Sequence, residues 1–341
     1  MVLAINKKLP PVVLFLFAAA IYAAFAAWLF LPLRPPLDKS ADLLKFLLFL
    51  LVPVVSASGV FILAERYVNS FVACFLAGII YGFGSFALAF YCFHPFALCV
   101  YAALPWTFIP AVFLYKLAKK DDKITNFLAA ALSLLPFLFV FAAYWLAAKN
   151  FLFPIPADII VSSKSFAAII NPFAFSIDTV SIGFFHAPFG ALVVGLVLFF
   201  KTRRFWTAVL LALALFLAFY KPVLNVPPVF WLSFVVLICS LIIAEGFEAL
   251  ILAGKTDANW LLLAAAALIL QAGVIFALGR TVAYFPLSAA LSAIAVIAVL
   301  LVFFIARTGL AMHYLRMAVL YVSVLIDVLI ISRDMITKFL G

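Results

Sequence analysis

The chain has 341 residues, of which 70% are hydrophobic and only 10% carry a formal charge. A soluble domain has roughly a quarter charged residues, so these polar groups are too few to cover a water-soluble fold. The bilayer is therefore the expected solvent, in which the backbone satisfies its hydrogen bonds within helices. The apolar runs are continuous rather than alternating, which argues against a β-barrel.

The net charge of +10 does not indicate a nucleic-acid-binding protein. The basic residues are spread over short loops, where Lys and Arg mainly report membrane topology and contact with anionic lipid. The four cysteines form no CxxC pair and lie in apolar segments, so we expect them to be buried and inert rather than metal-binding or redox-active. They are Cys74, Cys92, Cys99 and Cys239.

Charges and Pro/Asn clusters divide the chain into long apolar runs. About 20 apolar residues cross the hydrocarbon core as a helix. The sequence therefore predicts an all-α, polytopic membrane helix bundle of about 9–11 transmembrane helices in one domain, residues 1–341. The predicted spans are 10–33, 42–64, 69–92, 95–117, 125–148, 183–200, 205–221, 228–253, 259–279, 285–306 and 309–331.

One connection, residues 148–182, is much longer than the others. It contains too many helix breakers for one helix, and we expect a structured loop or interfacial segment, with an interfacial helix around 162–171. The two strongest basic clusters, 116–123 and 201–204, fall on the same side as Met1 in this topology. The positive-inside rule then predicts a multi-pass protein of the cell membrane with a cytoplasmic N-terminus.

Ionisable groups inside apolar spans are costly, so each is a functional candidate. Glu65 and Arg66 end the second span in GVFILAERYVNS. One interpretation is a membrane boundary with an Arg that reaches toward water, and the other is a proton-exchanging carboxylate beside a ligand pocket. His313 and Arg316 are three residues apart and share one helical face, which suits contact with lipid headgroups.

Three more carboxylates lie in later spans. Glu245 and Glu248 share a helical face and lie either in water, if the span ends near 248, or in the membrane, if it continues to Gly254. Their stretch resembles the REGLE-like motif of iron permeases, but it lacks the arginine and a second copy. Asp327 lies well within the last span, so it either handles protons or makes a structural hydrogen bond to another helix. The three form a predicted proton path.

Metal and haem sites are not predicted. The three histidines are far apart, and there is no H-x-x-x-H pattern or Cys cluster. Haem bound by two histidines would need a well-placed pair on facing helices.

Two regions resemble the NrfD/polysulfide-reductase-type membrane subunits of respiratory complexes. In 51–117, the stretches GVFILAERY, GIIYGFGSFALAFYCFHPF and ALPWTF follow the order of helix ends and turns in that family. Residues 206–243 also follow the pattern of that family. A helix that ends in an aromatic residue is followed there by an Asn-containing turn, a Pro-rich helix start and the sequence LSF. The Asp-Leu-Gly-Arg-Pro turn of many members is replaced here by residues 91–95, YCFHP.

The resemblance implies a haem-free subunit that binds a menaquinone-like quinone or quinol. Such a subunit passes electrons to or from an iron–sulfur partner that serves a catalytic subunit. In that interpretation Glu65, Arg66, Tyr81, His94 and Trp106 form the quinone site. His94 would accept a proton near neutral pH, or it is simply a turn residue before the helix that Pro95 begins.

Two other functions fit the composition. A secondary transporter, or an ion or lipid carrier, would line its path with phenylalanines and Asp327. A structural or assembly subunit would have no chemistry of its own.

Overall fold

The computed structural model describes residues 10–33, 40–88, 95–117, 123–149, 195, 205–219, 226, 228–253, 258–278, 285–308 and 313–339. These residues are helical apart from turns and one isolated bridge residue, Val226. The helices are α1 Pro11–Phe30, followed by a 3₁₀ turn Leu31–Leu33, α2 Ser40–Ala64, α3 Phe71–Phe83, α4 Pro95–Leu117, α5 Lys123–Leu132, α6 Leu135–Lys149, α7 Phe205–Phe219, α8 Pro228–Leu252, α9 Ala258–Leu278, α10 Phe285–Thr308 and α11 His313–Phe339.

Within the described residues, five helical stretches are long and apolar enough to cross a membrane. They are Pro11–Phe30, Phe46–Ala64, Phe71–Leu88, Lys123–Leu146 and Phe230–Leu252. Four shorter apolar helices accompany them: Leu98–Leu114, Thr207–Ala218, Asn259–Val274 and Ala289–Ile305. The predicted all-α membrane helix bundle is confirmed.

The predicted spans agree closely with the helices at several ends, including 95–117 and 228–253. The last one differs, because α11 runs on to Phe339 through a charged tail that the sequence analysis placed outside the span. The predicted span 183–200, apart from Gly195, and the loop 148–182, apart from its first two residues in α6, lie outside the described residues. Cys99 is exposed, against expectation, since it lies on the outward face of α4.

Two helices form the centre of the bundle. In the most apolar part of Phe71–Leu88 and of Phe230–Leu252, 83% of the residues are buried. In the corresponding part of Lys123–Leu146, only 22% of the residues are buried. Helix α3 packs on α2, α8 and α11, and α8 also packs on α7 and α4. The outer helices α1, α5 and α6 present large apolar side chains outward, as lipid-facing helices do.

Small residues let α2 approach α3 closely. A Cβ at Gly78 would meet the Tyr22 hydroxyl and lie 2.7 Å from the carbonyl oxygen of Ala57. A Cβ at Gly82 would lie 2.6 Å from the carbonyl oxygen of Pro53. Glycines four residues apart form one stripe of a helix, and membrane helices use such stripes to bring backbones together. The stretch GIIYG therefore fixes the contact of α3 with α2.

Helix α3 is interrupted at Gly84, where the backbone becomes extended before a short helical stretch from 85 to 88. The Ser332 hydroxyl of α11 donates a hydrogen bond to the Phe83 carbonyl at 2.8 Å. Tyr101 of α4 donates one to the Tyr81 carbonyl at 2.6 Å. Side chains of α4 and α11 thus donate hydrogen bonds to carbonyls at the end of α3. Such donors are needed inside a membrane, because hydrocarbon contains no water that could bind these carbonyls.

We expect Gly78→Ala to destabilise the protein by about 1–3 kcal/mol, since the added methyl group overpacks the α2–α3 contact. The measurement is the free energy of unfolding in mixed detergent micelles. Gly273→Ala is the matched control, because a Cβ there meets nothing within 4 Å. That variant should be neutral or gain up to about 1 kcal/mol from helix propensity. Equal effects of the two substitutions would contradict the close contact.

Candidate functional site

Four helix ends meet at one end of the bundle. Helix α2 ends at Ala64, and α3 begins at Phe71 after a short turn. The backbone N–H of Asn69, in that turn, donates a hydrogen bond to Oε1 of Glu248 on α8 at 2.6 Å. Arg316, in the first turns of α11, donates one to the Ala253 carbonyl at the end of α8. We call this region the acidic end of the bundle.

The acidic end contains carboxylates that the sequence analysis assigned to two separate sites. Glu65 and Glu248 both lie within electrostatic range of the Cys74 thiol, in the first turn of α3. The sequence assigns Glu65 to the quinone site and Glu248 to the proton path. The structure brings them together, although they are 183 positions apart along the chain.

The carboxylates of the acidic end differ in exposure. Helix α8 continues to Leu252, so Glu245 and Glu248 both lie inside the helix rather than after it. Glu245 is 9% exposed, Glu248 is half-buried, and Glu65 is exposed. Glu245 and Glu248 are one helical turn apart on one face. The three carboxylates therefore form a series from the interior of the bundle to its surface.

Arg316 is the buried cation of this region, with 3% of its surface exposed. Its guanidinium donates a hydrogen bond to the Ala253 carbonyl. That carbonyl follows the end of α8, so no further helical turn provides an N–H donor for it. A cation at the C-terminus of a helix also interacts favourably with the helix dipole. This contact lies within the bundle and is not among the sequence predictions, whereas the contact of His313 and Arg316 with lipid headgroups stays a prediction. Arg66 is half-buried in the turn after α2, and the side chain of His313 lies outside the described part of the structure.

Asp327 lies away from the acidic end, inside α11, and is 2% exposed. Tyr321 stacks on Phe75 of α3 at 6.4 Å between ring centroids, and Ser332 binds the Phe83 carbonyl. Asp327 is thus in the middle of the segment that packs along α3. Eleven residues make three turns, which puts Asp327 on the same helical face as Arg316 but about 16 Å away.

Tyr81 and Trp106 make contacts between helices. The Tyr81 hydroxyl donates to the Tyr101 carbonyl at 2.9 Å, Tyr101 returns the bond, and the two rings stack at 4.1 Å. The Trp106 indole donates to the Val55 carbonyl at 3.0 Å, beside Gly59. Tyr81 is ten residues beyond Phe71, the first residue of α3, so it lies about 15 Å along the helix from the acidic end.

The structure therefore groups the predicted residues differently from the sequence. Glu65 and Glu248 lie close together at the acidic end, whereas Tyr81 and Trp106 lie farther inside the bundle. His94 lies outside the described residues. Asn69 and Cys74 were not predicted, and no local signal marks them, because their importance comes from the approach of α8. Within the described ranges, no three metal-ligating side chains are grouped together.

Comparisons with protein families, curated proteins and solved structures found no match to this chain.

We expect Glu248→Ala to lower the free energy of unfolding by about 0.5–1.5 kcal/mol, because the Asn69 N–H loses its acceptor. Glu248→Gln keeps a carbonyl oxygen at that place and should lose less. Ser133→Ala is a suitable control, since the Ser133 hydroxyl donates to the Ala130 carbonyl in its own turn. An equal loss in Glu248→Ala and Glu248→Gln would show that charge, rather than the hydrogen bond, matters there.

The Tyr81–Tyr101 pair gives a separate prediction. Tyr81→Phe and Tyr101→Phe should each lower the free energy of unfolding by about 1–3 kcal/mol, because each leaves a buried carbonyl without its donor. The double variant should deviate from additivity by at least 0.5 kcal/mol, as residues in contact do. The measurement is a double-mutant cycle in detergent, and strict additivity would argue against a coupled pair.

Proposed function

We propose that this chain is a haem-free, quinone-interacting membrane subunit of an electron-transfer complex. The observation that carries the proposal is the acidic end, where a buried, a half-buried and an exposed carboxylate follow one another. Oxidation of a quinol yields a quinone, two protons and two electrons, so the protein must take up protons close to the membrane and deliver them to water. The order of helix ends and turns in 51–117 and 206–243 supports the same assignment.

In this proposal, Glu245, Glu248 and Glu65 move protons. Glu245 receives a proton inside the bundle, Glu248 accepts it one helical turn away, and Glu65 releases it to water. The hydrogen bond from Asn69 holds the Glu248 carboxylate beside the turn that follows Glu65. Arg316 places a positive charge at the end of α8, where its guanidinium binds the Ala253 carbonyl.

The quinone ring would lie between α2, α3 and α4. Tyr81 and Trp106 supply aromatic rings there, and the Trp106 indole lies directly against Gly59, where a Cβ would be 2.7 Å from its Nε1. Arg66 and His94 remain proposed polar partners of the ring oxygens. The quinone would be menaquinone-like, and Asp327 would extend the proton path.

The proposed surroundings follow from the same chemistry. The two electrons go to an iron–sulfur subunit that serves a catalytic subunit. The complex would lie in the cell membrane, with the N-terminus of this chain in the cytoplasm and lipid around its outer helices.

The test is quinol oxidation by the complex purified from native membranes in mild detergent. We expect iron–sulfur subunits and quinone to co-purify, and Glu248→Gln to slow quinol oxidation about 100-fold, the usual scale for loss of a proton-transferring group. Ser133→Ala should leave the rate unchanged. Purification of the chain alone, without quinone or a redox partner, would refute the proposal. Near-normal rates in Glu65→Gln, Glu248→Gln and Asp327→Asn would instead indicate a structural subunit.

A second candidate function, a secondary transporter or an ion or lipid carrier, is favoured by Asp327. A carboxyl that is 2% exposed within a membrane helix is typical of groups that bind and release a proton during transport. If this function is correct, reconstituted liposomes should show flux that Asp327→Asn abolishes and Glu65→Gln leaves largely intact. Flux that is absent from liposomes containing the wild-type chain would exclude it.

A further inference from the structure

The end of α3 contains a gap in its backbone hydrogen bonding. The helix ends at Phe83, and Gly84 is extended, with φ −68° and ψ 165°. A Cβ at Gly84 would collide with the carbonyl oxygen of Ile80, so a side chain does not fit at this break. Carbonyls in the last turn of a helix have no N–H donor within that helix. The Tyr81 carbonyl belongs to this turn and needs a donor from elsewhere.

Helix α4 contains a second gap, which has a different cause. Pro105 lies inside this helix. Proline has no N–H, so the carbonyl four residues earlier loses the donor that an uninterrupted α-helix would supply. That carbonyl belongs to Tyr101. The Cβ of Pro105 packs on α2, since a Cβ at Gly59 would lie only 2.9 Å from it.

Tyr81 and Tyr101 each supply the donor that the other helix lacks. The Tyr81 hydroxyl donates to the Tyr101 carbonyl at 2.9 Å, and the Tyr101 hydroxyl donates to the Tyr81 carbonyl at 2.6 Å. The two residues are 0% and 1% exposed, so water does not reach them. The gap made by Gly84 and the gap made by Pro105 are therefore satisfied by one pair of side chains.

The ring of Tyr101 contacts α3 on both sides of its break. It stacks on Tyr81, before Gly84, with 4.1 Å between centroids and 11° between planes. It also meets Phe86, after Gly84, at 5.7 Å and 51°. Phe86 is 2% exposed, so this contact is buried as well. Tyr101 therefore joins the main part of α3 to the short helical stretch that follows.

We propose that Tyr81 and Tyr101 form a latch that couples the two gaps, so that the end of α3 and the middle of α4 open and close together. Separating the two rings removes the donors of both carbonyls at once, because each tyrosine is donor and acceptor in the same pair. Neither gap opens alone, since a buried carbonyl without a donor is costly. The latch goes beyond the proposed function, because it requires neither a quinone nor a redox partner.

The first experiment restores the missing donor of α4. Pro105→Ala supplies an N–H for the Tyr101 carbonyl and keeps the Cβ that lies against Gly59. In this background, Tyr81→Phe should lower the melting temperature in detergent by less than about half of its effect in the wild-type chain. Tyr101→Phe should keep its full effect, because the Tyr81 carbonyl lies at the other gap.

Pro110→Ala is the matched control, since Pro110 lies in the same helix. Its new N–H would face the carbonyl of Trp106, four residues earlier, and should not rescue Tyr81→Phe. An undiminished effect of Tyr81→Phe beside Pro105→Ala, or equal rescue by Pro110→Ala, would show that Tyr81 does not replace the donor lost at Pro105. Either result would refute the latch.

The second experiment measures the coupling and needs no proline variant. Hydrogen exchange of the full-length chain in detergent, followed by mass spectrometry, reports on peptides that cover 85–88 and 106–109. Tyr81→Phe and Tyr101→Phe should each accelerate exchange in both peptides, by about tenfold. Ser133→Ala should change neither. If Tyr81→Phe affects only 106–109 and Tyr101→Phe affects only 85–88, the gaps open independently and the proposal is wrong.

Discussion

Backbone carbonyls are the acceptors on which the packing of this protein depends. In hydrocarbon, a carbonyl freed at a helix end or break has no water to bind, and each unsatisfied group costs several kcal/mol. Tyr101, Ser332 and Arg316 each reach such a carbonyl on a different helix. With only 10% charged residues in the chain, these few donors fix how α3, α4, α8 and α11 are arranged.

The sequence predicts the helices well because hydrocarbon imposes one requirement, a long apolar run, that can be read locally. Pro95 and Pro228 begin α4 and α8 where prolines favour a helix start. The sequence also places Asp327 well inside a helix, but it leaves open whether the helix of Glu245 and Glu248 ends near 248 or continues, as α8 does, to Leu252. The end of the last helix was missed, because residues 332–339 are charged enough to indicate a tail although they continue α11.

The grouping of the site residues could not be predicted. Glu248 reaches Asn69 only because α8 packs against α3 across 179 positions of sequence, and apolar periodicity contains no information about which helices pair. Likewise, the glycines of GIIYG indicate that another helix approaches closely. Only the folded structure shows that Tyr22 and Ala57 are the residues that Gly78 contacts.

The bond from Ser332 to Phe83 joins residues 249 positions apart. Ribosomes synthesise the chain from its N-terminus, so α3 enters the bilayer long before its donor exists. During that interval the Phe83 carbonyl at the interrupted end of α3 must rely on a temporary donor, such as water at the membrane surface or the insertion machinery. The centre of the bundle is therefore closed late in biogenesis, when α11 arrives.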